Sequence, residues 1–551
     1  MQSSRRDLSH VDTDTRALRA LVQAAVDVEL FTIPLYMSAL YSVYGVYSTQ
    51  DGSNWPGMRP THVHAKGRRL TDTEVNQLAF NIIFTVFIQE MLHLQMAANL
   101  ARALGFCPSF TMPTYGGTSI PCVGDLSKIP GYEDVKVEIG PLDEDRIRLF
   151  CAIETPDARS ESVCPAVPFE GFNPTGSPPA DNVTALPTFG TIGHLYECIR
   201  AYMAIVYTDG QTLWSKTYAP DAPQVQMFAD KSGNLTYPEL CTVIDAGLDP
   251  VAAYIAALKL IDGIIAQGEG GSADSARVPE EDQPDAAFAD SDWAGLVLSK
   301  HWNKISHFRR FQIVRRRLMP RVVTFPAWRA ARGDAPWTAE LLGGPLAEER
   351  AAALNDPNTG AEANDALNHS VNRLLAALTS AWSTSDSQFS LPAMQALNTR
   401  AFVTWAAGAT PSFSTVKVAP VNLKDPHACQ GLSLQSPGNR CAAVPDAQGY
   451  IGSEVHTCSN TNACKGQGGC GYPGPGVGPG VNSAAGNGGC GTPIPVAQVM
   501  SSAGQVTVGN QTVAFHKGDR VADVAWKIYL ARGGTGEQPT ATGLRVALPP
   551  S

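Results

Sequence analysis

Charge is scarce in this 551-residue chain. Asp, Glu, Lys and Arg together make up 17% of it, against about 25% in ordinary globular proteins. The formal charge is −10, and basic residues form only small groups such as Arg315, Arg316 and Arg317. A phosphate backbone demands clustered Lys and Arg, so no nucleic-acid partner is expected. Also missing is an uninterrupted apolar run of the ~20 residues that cross a bilayer, so no membrane partner is expected. The segment from Met1 to Asp7 is polar and lacks the apolar core of a signal peptide, which makes a cytoplasmic location the expectation. No C-x-x-C pair occurs, so the common zinc-ribbon spacing is absent. There is no G-x-S-x-G nucleophile elbow. The glycines around Gly268 and Gly271 lack the strand–turn–helix setting of a phosphate loop.

What is present is enough apolar sequence to fold, 44% of the chain. At ~100–200 residues per domain, the length suggests two to four units. Apolar residues recur at helical spacing over 14–45, with Asp12, Thr13 and Asp14 as N-cap candidates and Pro34 as an expected kink. Thr71 and Glu74 have the spacing of a capping box for a second helix, which runs to about Leu104 and stops at Gly105. Residues 106–185 read as a loop-rich insertion in which Val135–Ile139 and Ile147–Ile153 could be strands. Further helices are expected at Thr188–Thr208, Pro238–Ala266, Trp293–Leu318, Ala363–Ser383 and Leu391–Ala407, with a linker or mobile loop at 268–288.

After Pro411 the character changes. Residues 420–497 are dense in Gly, Pro, Asn and Cys. His427-Ala-Cys429 precedes Cys441 by the same interval that His456-Thr-Cys458 precedes Cys470, which suggests a duplicated loop. These cysteines, with Cys464 and Cys490, allow disulfides, structural zinc or an iron–sulfur cluster. Disulfides are slightly favoured, against a reducing cytoplasm. The other cysteines, at 107, 122, 151, 164, 198 and 241, read as buried thiols. Short strands are expected around Val506–Val508 and Val513–Phe515, and a short helix at Ala522–Leu530.

Two segments carry chemistry. Glu90 and His93 form an E-x-x-H on a helix that is apolar almost all round, from Phe84 through Met96. Residues three apart share a face, so a carboxylate and an imidazole there can grip one ion. Buried together, they need a partner or a metal. Glu29 sits in a similarly apolar stretch, Val26 to Pro34, where Asp27 is the better candidate for solvent. In di-iron helix bundles one Glu comes from each of two helices, and an E-x-x-H from each of the other two.

Two motifs, Ala25-x-x-x-Glu29-x-x-Thr32-Ile33-Pro34-x-Tyr36 and Gln89-Glu90-Met91-x-His93-x-x-x-Ala97-x-Asn99-x-x-x-Ala103-x-Gly105, resemble the ferritin-like domain of the iminophenyl-pyruvate dimer synthase family, found in violacein and indolocarbazole pathways. A looser echo continues through Thr191–Glu197 and Ser306–Phe311. The resemblance implies a metal-binding four-helix bundle and oxidative chemistry on amino-acid-derived substrates. Glu197 is then the third-helix carboxylate, and His194, one turn before it, is either a ligand or a core histidine. On the fourth helix His307 fits the second E-x-x-H, but Lys304 replaces its Glu, with His301 one turn further back. Lys304 could be an acid–base group or substrate contact, could mark a site reduced to one metal, or could point outward.

The expected fold is therefore mainly α: a ferritin-like four-helix bundle with long loop insertions over 1–410, and a Cys/Gly-rich irregular region with a few short strands over 411–551. The expected function is metal-dependent oxidation of a small amino-acid-derived or aromatic metabolite by dioxygen or peroxide. The alternatives are a non-catalytic metal-binding scaffold, or one subunit of a biosynthetic complex or homo-oligomer. Expected metal ligands are Glu29, Glu90, His93, His194, Glu197 and His307, with Lys304 and Tyr196 as catalytic candidates. Iron, as one ion or two, is the first choice of metal, with copper or zinc next.

Overall fold

The computed structural model describes residues 5–45, 70–128 except 122, 131–155, 165–169, 186–226, 243–268, 305–342, 347–384, 401–416 except 403, and parts of 503–531. The duplicated Cys-bearing loop, the linker beyond Gly268, the segments 227–242, 293–304 and 385–400, and most of 522–530 lie outside these residues. The helices are α1 (Val11–Tyr41), α2 (Asp72–Ala103), α3 (Glu144–Ile153), α4 (Ile192–Met203), α5 (Leu213–Thr217), α6 (Pro250–Gln267), α7 (His307–Ile313), α8 (Phe325–Ala331), α9 (Ala339–Leu342), α10 (Ala347–Asn355) and α11 (Thr359–Thr384). Two small antiparallel pairs complete the described elements: β1 (Ser119–Ile120) with β2 (Gly124–Asp125), and β3 (Gly504–Val508) with β4 (Gln511–Phe515).

α1 and α2 form the spine. Arg19 meets Leu104, Thr32 meets Glu90 and Tyr41 meets Phe80, so numbers fall along α2 as they rise along α1 and the pair is antiparallel. Both helices are buried almost all round, as expected for helices without a polar face. α4 packs on α1, α6 on α2 and α4, and α7 on α2 and α3. α1 starts earlier than its acidic residues suggested. Asp7 caps a short 3-10 turn at Leu8–His10 that leads into it. Asp14 is instead a buried ion-pair partner, held by the Arg6 guanidinium and by the Tyr207 hydroxyl at 2.7 Å. The helix continues through Pro34. α2 carries the expected capping box, and Gly105 takes the left-handed conformation (φ +74°) that ends it.

Neither strand proposed in the insertion forms. Residues 135–139 have no strand pairing, and 147–153 is the body of α3. Asp143 caps α3 by accepting from Arg146 N–H, and Glu144 and Asp145 favour the positive helix start. Ile147, Phe150 and Cys151 then fall on one buried stripe. The fourth-helix segment is α7 followed by a π-helical turn at Val314–Leu318 and a 3-10 turn containing Pro320.

Three stretches, Leu8–Leu40, Asp72–Ala103 and Pro250–Gln267, are long and apolar enough to cross a bilayer by length and composition. Mean hydropathy tolerates the scattered polar residues that interrupt an unbroken run. The first two are 94% buried within the fold in their most apolar windows, and the third is 33% buried.

α11 holds an extended strap, residues 411–416, by an asparagine ladder. Asn364 accepts from Ser412 N–H (2.8 Å). Asn368 donates to the Ser412 carbonyl (2.9 Å) and accepts from Ser414 N–H (2.6 Å). Asn372 donates to the Ser414 carbonyl and accepts from Val416 N–H. The registers match because four helical residues rise about 6 Å and two extended residues span about 6.6 Å. Asn368 begins an N-x-S sequon, but its amide is committed to the strap and buried.

Candidate metal centre

Five side chains from four segments converge in the bundle interior: Glu29 of α1, Glu90 and His93 of α2, Glu154 just beyond α3, and His307 at the first position of α7. All are at most 2% exposed. Each carboxylate has one oxygen held by a neighbouring hydroxyl. Tyr196 donates to Glu29 Oε1 (2.6 Å), Thr32 to Glu90 Oε2 (2.7 Å) and Tyr36 to Glu154 Oε1 (2.6 Å). The other oxygen of each faces the imidazoles. Glu29 Oε2 and Glu90 Oε1 both lie 3.7 Å from His93 Nδ1. Glu90 Oε1 lies 2.8 Å, and Glu154 Oε2 3.5 Å, from His307 Nδ1.

Both histidines turn Nδ1 inward and Nε2 toward a glutamine. His307 Nε2 lies 3.1 Å from Gln89 Oε1, and His93 Nε2 lies 3.3 Å from Gln267 Oε1. The buried Arg310 guanidinium also donates to Gln89 Oε1, which fixes the acceptor end of that amide toward His307. An amide oxygen only accepts, so in the neutral rings the proton sits on Nε2 and the Nδ1 lone pair points inward.

Burial and the closeness of the groups to one another dominate the electrostatics of the cluster. Burial raises the Glu90 pKa, and the Glu154 carboxylate raises it further, against the opposing pull of His307 and Thr32. Burial, followed by the proximity of His307, pushes His93 well below its usual range. For His307 burial also opposes charge, but the nearness of Glu154 and Glu90 outweighs it and raises the pKa. Burial and the Glu154 charge raise the Tyr36 phenol well above its normal value, which keeps it a donor. His307 Nδ1 is buried without an aligned hydrogen bond, although Glu90 Oε1 is 2.8 Å away. Two donor atoms that close can serve one ion. The donors of Glu90, His93 and His307 lie within 4.8 Å of one another. Three desolvated carboxylates with two imidazole lone pairs form a hard-to-intermediate donor set suited to a first-row transition metal.

Of the residues singled out from sequence, the structure brings together Glu29, Glu90, His93, His307 and Tyr196. It does not bring Glu197 or His194 to them. The buried stripe of α4 is Ile192, Leu195, Tyr196, Ile199 and Tyr202. Residues 194, 197 and 200 share the other face. Glu197 pairs there with Arg200 at 3.4 Å and its side chain is 44% exposed, while Arg200 also reaches Asp262 of α6. His194 is half-buried, and its backbone N–H is capped by Thr191. Lys304 and His301 lie outside the described residues. Sequence reasoning missed Glu154, and with it Gln89, Gln267 and Arg310 as supports. The signal for Glu154 was present: it follows Ile147 by seven residues on the α3 stripe, behind the Asp143 cap.

No curated protein matches the chain. Among solved structures, a ferritin-like protein from Caulobacter vibrioides is 23% identical, with a TM-score of 0.42, over 72% of this chain and 98% of that one. A sequence model described as ferritin-like matches residues 22–316, from the middle of α1 to beyond α7. That span is more than half of the chain and contains all five converging side chains, and the protein belongs to the ferritin-like family.

Proposed function

We propose that this chain is a metal-dependent oxidoreductase that uses dioxygen or peroxide to oxidise a small amino-acid-derived or aromatic metabolite, in the manner of the iminophenyl-pyruvate dimer synthases. The observation that carries the reading is the convergence of three hydroxyl-oriented carboxylates and two Nδ1 atoms in a buried site. Glu29, Glu90, His93, Glu154 and His307 would hold the metal, with iron as first choice and copper or zinc as alternatives. A bound transition metal supplies redox change and activation of dioxygen or peroxide. The chain's own residues position and insulate. Tyr196, Thr32 and Tyr36 fix the carboxylates, Gln89 and Gln267 fix the imidazoles, and Ile192, Ile264 and Ile265 exclude water from one side. We place the enzyme in the cytoplasm, with 1–410 as the catalytic unit and 411–551 as a separate region. A homo-oligomer or a biosynthetic complex is the natural assembly.

The narrow space at the cluster, about 10 Å³, favours a second reading: a bundle that binds metal without turnover. Protein made with iron, copper, manganese and zinc supplied separates the readings. The enzyme reading predicts stoichiometric bound metal, with dioxygen uptake or peroxide consumption when aromatic α-imino or α-amino acids are added. Bound metal with no uptake on any such substrate favours the scaffold, and absence of metal overturns both.

A further inference from the structure

Beside the cluster a small void runs between the first turn of α4 and the last turn of α6. Its walls there are Ile192 and Gly193 on one side and Ile264, Ile265 and Gly268 on the other. Both walls are pinned to the cluster itself, α4 through Tyr196 on Glu29 and α6 through Gln267 on His93.

Neither glycine is demanded by its backbone. Gly268 caps α6 with φ −67°, a value any residue adopts. Gly193 is inside α4 and is not among the glycines with positive φ. Glycine in a helix costs about 1 kcal/mol relative to alanine, so an ordinary helical glycine calls for a spatial reason. At 268 an added Cβ would press on the Ile264 carbonyl at 3.3 Å and reach ordinary contact, 3.6 Å, with Glu154 Oε2, taking up the space before that carboxylate.

Resting on the metal reading above, we propose that Gly193 and Gly268 hold open a size-limiting apolar slot through which a small exogenous ligand reaches the metal. The void of about 10 Å³ is on the order of one water. Ligands one atom wide, such as dioxygen, peroxide or azide, are the ones that could thread it end-on.

The test uses the iron-loaded full chain, with azide as a three-atom probe and imidazole as a larger one, both read by the metal's absorption spectrum. Gly193→Ala and Gly268→Ala are expected to keep the wild-type iron content and to bind azide about tenfold or more slowly, since one methylene in a fitted pocket carries about that discrimination. Ile265→Ala widens the mouth. It should let imidazole perturb a spectrum that imidazole leaves unchanged in wild type. Should Gly268→Ala lose iron through its contact with Glu154, Gly193→Ala and Ile265→Ala carry the comparison. Azide binding at the wild-type rate in iron-replete glycine variants, or imidazole reaching the wild-type metal, overturns the slot and leaves the metal site standing. A wild-type protein that takes up no iron overturns both.

Discussion

Glu154 is the residue on which the site turns. It stands one position beyond α3, takes a hydrogen bond from Tyr36 on one oxygen and turns the other toward His307. Replacing it by Gln keeps the shape and removes the charge. Glu154→Gln is expected to lower metal affinity by at least tenfold, and Glu197→Gln to leave it unchanged, because Glu197 is spent on Arg200 at the surface. Titration of the metal-free variants with ferrous iron checks both. A second expectation concerns thiols. Cys151 and Cys198 are buried and Cys107 is exposed, and burial pushes the Cys151 thiol up to about 12. Thiolate is the reactive form. Iodoacetamide at pH 8 should therefore label Cys107 in the native protein and spare Cys151 and Cys198 until urea is added, as peptide mass mapping would read. The first half of the site was legible because Glu29, Glu90 and His93 interrupt strongly apolar helices, where a buried charge announces itself. The second half was not. Family spacing pointed to α4, but the choice between Glu197 and Tyr196 depends on helix rotation, which packing against α1 and α6 decides.

At the scale of elements, local chemistry was the better guide where capping and period agreed. Thr71 and Glu74 fixed the start of α2, and Gly105 its end. α3 was lost because an apolar heptad such as Ile147–Ile153 suits a strand as well as a helix, and only the Asp143 cap arbitrates. The asparagine ladder had no signal at all. Asn364, Asn368 and Asn372 are four apart, but their partner backbone is more than forty residues away. The ladder makes a definite prediction. Asn368→Ala removes the donor to the Ser412 carbonyl and the acceptor of the Ser414 N–H, and because both serines are exposed, water takes up part of the loss, leaving about 0.5–1.5 kcal/mol per bond. Limited proteolysis should then cut within 411–416 at protease levels that leave the wild-type strap intact. Unchanged cleavage would mean that Phe413 and its neighbours hold the strap without the ladder.

For the whole molecule, the proposed metal and the fold are one problem. Three carboxylates stand at the centre of the bundle, at most 2% exposed, with mutual repulsion that burial amplifies. A cation that binds only the folded state stabilises it by about 2.7 kcal/mol at a hundredfold excess over its dissociation constant. Removing metal with a chelator is therefore expected to lower the melting temperature by several degrees, and adding ferrous iron back to restore it. An identical melt with and without metal would mean that the charges are neutralised by protons instead. The most direct measurement of the central claim is anomalous scattering at the iron edge from crystals grown with iron. The predicted result is a peak about 2.0–2.2 Å from the inward oxygens of Glu90 and Glu154 and from His307 Nδ1, with Glu29 and His93 completing the same shell or that of an adjoining second ion. A peak elsewhere, a peak with Glu154 turned away, or none among these five side chains would contradict the account.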